Sequence, residues 1–277
     1  MDLRCIAGKL KCRIYHSTSE PIYQSTNLPI YQSTSEPIYQ STSEPIYQST
    51  NLPSYLEQIM KIAILGGTGP EGGGLGLRWA QAGHEVIVGS RQAEKGERVA
   101  AELQTRLPEA ARQRLTGTDN LTAIQQADIA VLAVPYSGQE RTLAGLEAAL
   151  AGKLLLTVVV PLGEKAARVW RPPSGLAAAE EARQQLGEGA RVVAAFQNIS
   201  AHHLENPDHP VDCDVLVCGD DKADKQVILD LCTDAGMRGV DAGPLQNASV
   251  AEGLTSVLIG INIRHKIKNA GIRITGI

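Results

Sequence analysis

The sequence predicts an α/β protein, a doubly wound parallel sheet followed by a smaller C-terminal α/β domain. Three observations predict it. From Met60 onward, short β-rich apolar runs alternate with helix-favouring amphipathic stretches. A glycine cluster, Gly66 to Gly76, joins the first such run to the first helix. Runs such as Asp128 to Val134 are apolar at successive positions, as strands buried on both faces must be. At 277 residues the chain has room for one to two domains with a proper core, which excludes a small disulfide-stapled fold.

Residues 1–59 read differently. From Ser17 the chain repeats every eight residues, as STSEPIYQ or STNLPIYQ, and decays into STNLPSYL. Each unit carries one Pro, no helical period and few bulky aliphatics, so it cannot bury enough surface to offset its ordering; a disordered extension is expected over 1–59. Tyr23 to Ile30 can be encoded by the octanucleotide TACCAATC written three times. The segment therefore reads as translated repetitive DNA ahead of a start at Met60.

Lys61 to Leu65 is read as the first strand, Gly66 to Gly76 as a glycine turn, and Leu77 to Gln81 as part of the first helix. In that frame Gly67, Gly69 and Gly72 fit GxGxxG. The first permits a tight turn, the second lets backbone approach a pyrophosphate, and the third lets the helix pack on the strand. Amides at the helix N-terminus then face the phosphates. Glu85 to Gly89 is the second strand, and Ser90-Arg91-Gln-Ala-Glu-Lys95 leaves it. An NAD site places a carboxylate there for the ribose 2′-hydroxyl; here a hydroxyl, a guanidinium and an ammonium stand instead. Arg91 can grip a 2′-phosphate bidentately while Lys95 adds charge from the next helix, so NADP is the expected cofactor. The bland alternative is that both are solvated surface charges.

Thr116-Gly117 marks a third strand, Asn120 to Gln126 a helix, and Asp128 to Val134 a buried strand stopped by Pro135. Ligands bind at the carboxyl ends of such strands, which puts Val134, Pro135 and Tyr136 beside the dinucleotide. Tyr136 either stacks there or is a loop aromatic. Lys153 to Val160 and Arg191 to Ala195 are two further strands, completing a Rossmann-type NADP-binding domain over 60–210. From Val215 follow a strand to Cys218, a Gly-Asp-Asp loop, a helix over Ala223 to Ala235, a strand over Gly239 to Ala242 and a long helix over Ala248 to Ile267. These make the small domain, 211–277. Leu254, Leu258, Ile261 and Ile263 give the last helix an apolar face that could close over the site or bury against a second subunit, as a homodimer.

Several function classes are disfavoured. A net charge of −4 supplies no field for nucleic acid or an anionic membrane. The longest apolar run, Leu154 to Val160, is too short to span a bilayer. Five cysteines, odd in number and without CxxC spacing, suit free thiols in the cytoplasm. Residues 202–213 hold His202, His203, His209, Asp208, Asp212 and Cys213, but the Pro-interrupted spacing presents no shared ligand face, so no metal is expected. Cys213 and Cys218 lie five apart across a strand and should pack on opposite faces.

With GGTGxxGxGL after the first strand and SRxxxK after the second, the chain resembles the NADPH-dependent coenzyme F-420 reductases. These pass hydride between NADP and an 8-hydroxy-5-deazaflavin. The likeness covers about 60 to 277, with Ala195-Phe-Gln-Asn-Ile-Ser-Ala201, Val217-Cys-Gly-Asp-Asp221, Asp241-Ala-Gly-Pro-Leu245 and Glu252-Gly-Leu-Thr255 as later blocks. It implies that Thr68, Gly69, Pro70, Glu71, Ser90, Arg91 and Lys95 hold NADP(H), with Val134 and Ala201 near the nicotinamide. Gln197, Asn198, Ile199 and Ser200, running into Ala201, would form the floor beneath the deazaflavin. Two positions depart: many relatives carry His where Gln197 stands, and some carry Pro where Ser200 stands. Hydride passes directly between the two rings, so positioning alone is expected and no catalytic acid or base is assigned. The rival readings are a flavin or ferric-chelate reductase using NADPH, and a non-catalytic NADP sensor that binds partner proteins.

Overall fold

The computed structural model describes residues 59–187 and 189–277. The octapeptide repeat lies outside the described residues. The elements, in chain order, are β1 (Lys61–Leu65), α1 (Pro70–Ala82), β2 (Glu85–Ser90), α2 (Ala93–Gln104), α3 (Glu109–Arg112), β3 (Leu115–Asp119), α4 (Asn120–Gln126) and β4 (Ile129–Leu132). There follow α5 (Tyr136–Leu143), α6 (Glu147–Leu150), β5 (Leu154–Thr157), α7 (Ala178–Leu186), β6 (Arg191–Ala194), α8 (Ala201–Leu204), β7 (Asp214–Gly219), α9 (Lys222–Asp234), β8 (Arg238–Asp241) and α10 (Ala248–His265).

The strands form one eight-stranded sheet in the order β3-β2-β1-β4-β5-β6-β7-β8. All neighbours run parallel except β6 and β7, which pair antiparallel through Val193 with Gly219 and Ala194 with Cys218. Strand order reverses between β1 and β4, and the crevice beyond their carboxyl ends is where an open α/β sheet binds ligands. The strands of 211–277 join the same sheet, so no break in hydrogen bonding separates that segment from the rest.

Alternation along the central strands divides the core in two. Ile62, Ile64, Ile129 and Val131 face α1, α2 and α9, whereas Leu65, Ala130 and Leu132 face α5, α7 and the start of α10. Cys213 packs in the first cluster and Cys218 in the second, which the two-residue period of a strand requires.

Two boundaries differ by three residues or more from those expected. The glycines from Gly72 onward lie inside α1 rather than in the turn. Glycine is the poorest helix former after proline, and here close packing outweighs propensity: a Cβ on Gly74 would lie 2.4 Å from Cβ of Leu204. The fifth strand ends at Thr157, not at Val160. After it, Val158 and Val160 turn away to line a cavity.

Candidate functional site

The three fingerprint glycines occupy three different environments. A Cβ on Gly67 would meet the Ile64 carbonyl oxygen at 2.9 Å, and one on Gly72 would meet Gly67 Cα at 2.8 Å and Ala133 Cβ at 3.0 Å. Those two glycines are dictated by backbone-to-backbone approach inside the protein. Gly69 has nothing within 4 Å of that position and has φ −92°, a value any residue adopts. Packing therefore gives no reason for glycine there, and a cradle for a group from outside the chain does. Gly69 caps α1 without a side-chain hydrogen bond and Pro70 follows, so the first-turn amides, near Thr68 and Glu71, are open to an anion.

At the end of β2, Ser90 is buried and its Oγ accepts from the Gln92 amide at 3.4 Å, shaping the turn into α2. Arg91 is exposed on that turn, and Lys95 is exposed in the first turn of α2. Across the sheet a carboxylate comes near: Asp119 pairs in register with Ser90 across β2 and β3. It is already engaged, accepting from the Thr122 amide at 2.9 Å and the Thr122 hydroxyl at 2.7 Å as the cap of α4. Those bonds hold its carboxyl below the ordinary range. The turn thus offers cations, and the neighbouring anion is committed elsewhere.

Val134 packs on the glycine turn, since a Cβ on Gly66 would fall 2.3 Å from its Cγ1; Pro135 is exposed at the start of α5. Tyr136 points away from any stacking role. Its hydroxyl donates to Glu181 at 2.9 Å and its ring meets Trp170 edge-on, with centroids 5.7 Å apart.

A cavity of about 300 Å³ takes in Gln197, Asn198, Ile199, Ser200 and Ala201 together with Glu71. The slot block and the tip of the dinucleotide helix therefore share one space, whereas the glycine turn, Ser90 to Lys95 and Val134-Pro135 lie along the strand ends outside its lining. Phe196 sets the angle of this block. It is fully buried at φ 71°, a strained value for a residue with a side chain, and is held edge-on against Trp79 at 6.0 Å. Asn198 turns both amide atoms to the protein, donating to the Asp214 carbonyl at 2.6 Å and accepting from the Leu216 amide at 3.2 Å. Its role is to fix the block to β7. Ser200 Oγ donates to the Lys268 carbonyl at 2.9 Å.

The opposite wall extends beyond the expected apolar face of α10. Leu258 of the expected apolar face does line the cavity, but so do Thr255, Ile259 and Asn262 from α10 and Ala270 from the tail. Thr255 Oγ1 donates to the Gln197 carbonyl at 2.6 Å, tying α10 to the slot. The tail is itself anchored: Asp214 accepts from Arg238 and from the Ile274 amide, which pulls its carboxyl down to about 2.

Residues 61–161 match the family model described as NADP oxidoreductase, coenzyme F420-dependent. The F420-dependent NADP reductase of Methanocaldococcus jannaschii is 41% identical over 224 residues, covering 79% of this chain and 99% of the relative. That of Methanothermobacter marburgensis is 43% identical over 223 residues, with the same coverage. A crystal structure from Arthrobacter, assigned provisionally as an F420-dependent NADP reductase, superposes with TM-score 0.64 at 27% identity over 78% of this chain and all of that one. With more than two-fifths of its residues shared along nearly the whole of each curated relative, the chain belongs to the family of F420-dependent NADP reductases.

Proposed function

We propose that this chain transfers hydride between NADP(H) and coenzyme F-420 by holding the two rings against each other. The observation that carries the reading, beyond family membership, is that the block Gln197 to Ala201 and Glu71 of the dinucleotide helix line one cavity. A cavity of about 300 Å³ is at the small end for ligand sites and suits flat rings rather than a whole cofactor. The nicotinamide supplies the hydride. The chain supplies the rest: Gly67 and Gly72 shape the turn in which Gly69 and the α1 amides bind the pyrophosphate, Ser90, Arg91 and Lys95 bind the 2′-phosphate, and Val134, Pro135 and Ala201 flank the nicotinamide. Gln197 to Ser200 form the floor of the second ring, walled from water by Leu258, Ile259 and Val158. Spectrophotometric turnover with NADPH and, in parallel, deazaflavin, riboflavin phosphate and a ferric chelate tests this. Turnover with the deazaflavin is expected; turnover only with another acceptor, or tight NADPH binding with none, would replace the reading by a rival.

The glycines give a second test. Gly72→Ala is expected to cost about 1–3 kcal/mol by overpacking, lowering the melting temperature. Gly69→Ala should leave the melting temperature unchanged and weaken NADP binding about tenfold, by lifting a phosphate off the amides. A loss of stability in Gly69→Ala would give that glycine a structural role instead.

We further propose that the partner is a second copy of the chain, docked through α10. One side of it leaves Val250 and Val257, two turns apart, exposed at 70 and 44%. Sedimentation should find a dimer that Val257→Glu dissociates; a monomeric parent chain would remove the proposal. The described cysteines, Cys213, Cys218 and Cys232, are buried and unpaired, which supports a reducing cytoplasmic setting. Among the described residues no helix is long and apolar enough to cross a membrane.

A further inference from the structure

The polar groups of the cavity leave two oxygens over. Gln197 Nε2 donates to the Thr157 carbonyl at 2.9 Å, which fixes the amide with Oε1 left buried and without a donor. Oε1 of Glu71 is likewise buried and unpartnered. The other polar side chains of the lining have work inside the protein: Asn198, Ser200 and Thr255 as described, and Asn262, whose Oδ1 accepts from the Ala270 amide at 2.9 Å. Two lone acceptors in one small space make a poor pair if both stay acceptors. An anion on Glu71 would be worse, being a charge with no partner in a site walled by Val158, Leu162, Phe196, Leu258 and Ile259.

Protonation resolves this. Burial alone pushes the Glu71 carboxyl up to about 8, against the pull of the α1 N-terminus, which favours the anion. Among the described residues that line the cavity no other group is titratable: α10 contributes Thr255, Leu258, Ile259 and Asn262, the segment before α8 contributes Phe196 to Ser200 and α8 itself Ala201, the segment after β5 contributes Val158, Val160 and Leu162, and the tail contributes Ala270. At neutral pH the cavity therefore presents an O–H donor on Glu71 and an amide acceptor on Gln197, beside the Nδ2 of Asn262.

We propose that Glu71, as a neutral acid, donates a hydrogen bond to the carbonyl of a bound ring while Gln197 Oε1 accepts from that ring's N–H, so that the pair reads an amide-type edge. This rests on the hydride-transfer reading above and adds to it the chemistry by which the site selects its ring. Two bound groups carry such an edge, the carboxamide of the nicotinamide and the cyclic imide of the deazaflavin. Whichever it is, its affinity follows the protonated fraction of Glu71. Above pH 8 the competent fraction falls tenfold per unit, so between pH 7 and 9.5 the dissociation constant rises about 30-fold.

The test measures dissociation constants for F-420 by fluorescence and for NADP by calorimetry, at pH 7 and 9.5, with the parent chain and Glu71→Gln. Glutamine keeps the shape and an N–H donor but does not titrate, so dividing by its profile removes the ligands' own ionisations. A parent-specific rise of about 30-fold for F-420 identifies the imide edge; the same rise for NADP identifies the carboxamide. Infrared difference spectra of the ligand-free proteins supply a readout independent of binding: a carboxylic acid carbonyl band present at pH 7, lost at 9.5 and absent from Glu71→Gln. Matching pH profiles of parent and Glu71→Gln for both ligands, or a carboxylate signature already at pH 7, overturns the proposal. Failure of F-420 to bind at either pH, with NADP binding intact, overturns the hydride-transfer reading instead and leaves the NADP comparison to decide the role of Glu71.

Discussion

Replacing Arg91 by alanine is expected to weaken NADPH binding about 10- to 100-fold and to leave NADH within a factor of about two, the difference being a charge-assisted bidentate contact to the 2′-phosphate. The expectation rests on placement. Arg91 is exposed where β2 turns into α2, and Asp119, the carboxylate across the register, is spent on capping α4. The carboxylate in register with Ser90 is then not free to reward a 2′-hydroxyl over a phosphate. Arg91→Lys should recover part of the loss, because an ammonium keeps the charge but not the planar fork. Lys95→Ala should cost less and be more sensitive to salt, as suits a charge acting at longer range from the first turn of α2. Because Arg91 is solvated, the melting temperature of the ligand-free variant should not move. Calorimetry with both dinucleotides decides the matter, and equal losses for NADPH and NADH would end the assignment of Arg91.

The reach of the sequence is uneven for a physical reason. Strand β1, the fingerprint glycines and the turn after β2 are legible because local pattern determines them: a two-residue or unbroken apolar period, then glycine, then a helix former. The slot block was legible only through family likeness, since nothing in the spacing of Gln197 to Ala201 announces a cavity. What stayed hidden is what folding brings from far away. Thr255 reaches Gln197 across 58 positions, and Ala270 arrives from the tail. Glu71 read as one more residue of a phosphate-binding turn, and only its burial against the slot shows that its side chain serves a second purpose. The positive φ of Phe196 is hidden in the same way, because its sequence neighbours do not mark it and the Trp79 ring it packs against comes from α1.

Arg78→Ala is expected to be the most destabilising of the substitutions considered, by about 4 kcal/mol or more, lowering the melting temperature by about 10 °C. Arg78 is 4% exposed, and its guanidinium donates to four carbonyls: Ala235 at 2.9 Å, His203 at 2.8 Å, Asn206 at 2.9 Å and His209 at 2.8 Å. A planar fork is the side chain able to gather carbonyls from two segments at once, and alanine would leave them without donors around a new cavity. Three of the four belong to the stretch that continues from the slot, so the loss should reach the chemistry. Freed from α1, residues 202–209 no longer brace Ala201, and turnover should fall further than NADPH affinity does, because the glycine turn and Arg91 are untouched. Gly74→Ala approaches the same joint from the other side, since its Cβ would drive into Leu204 at 2.4 Å and push the segment off the helix. Hydrogen exchange should therefore show residues 201–209 opening in both variants, with Arg78→Lys intermediate because an ammonium reaches only one or two of the carbonyls. If Arg78→Ala melts within about 2 °C of the parent chain, or exchange in 201–209 is unchanged, the segment is held by its own packing and the guanidinium is not the clamp that couples the dinucleotide helix to the slot.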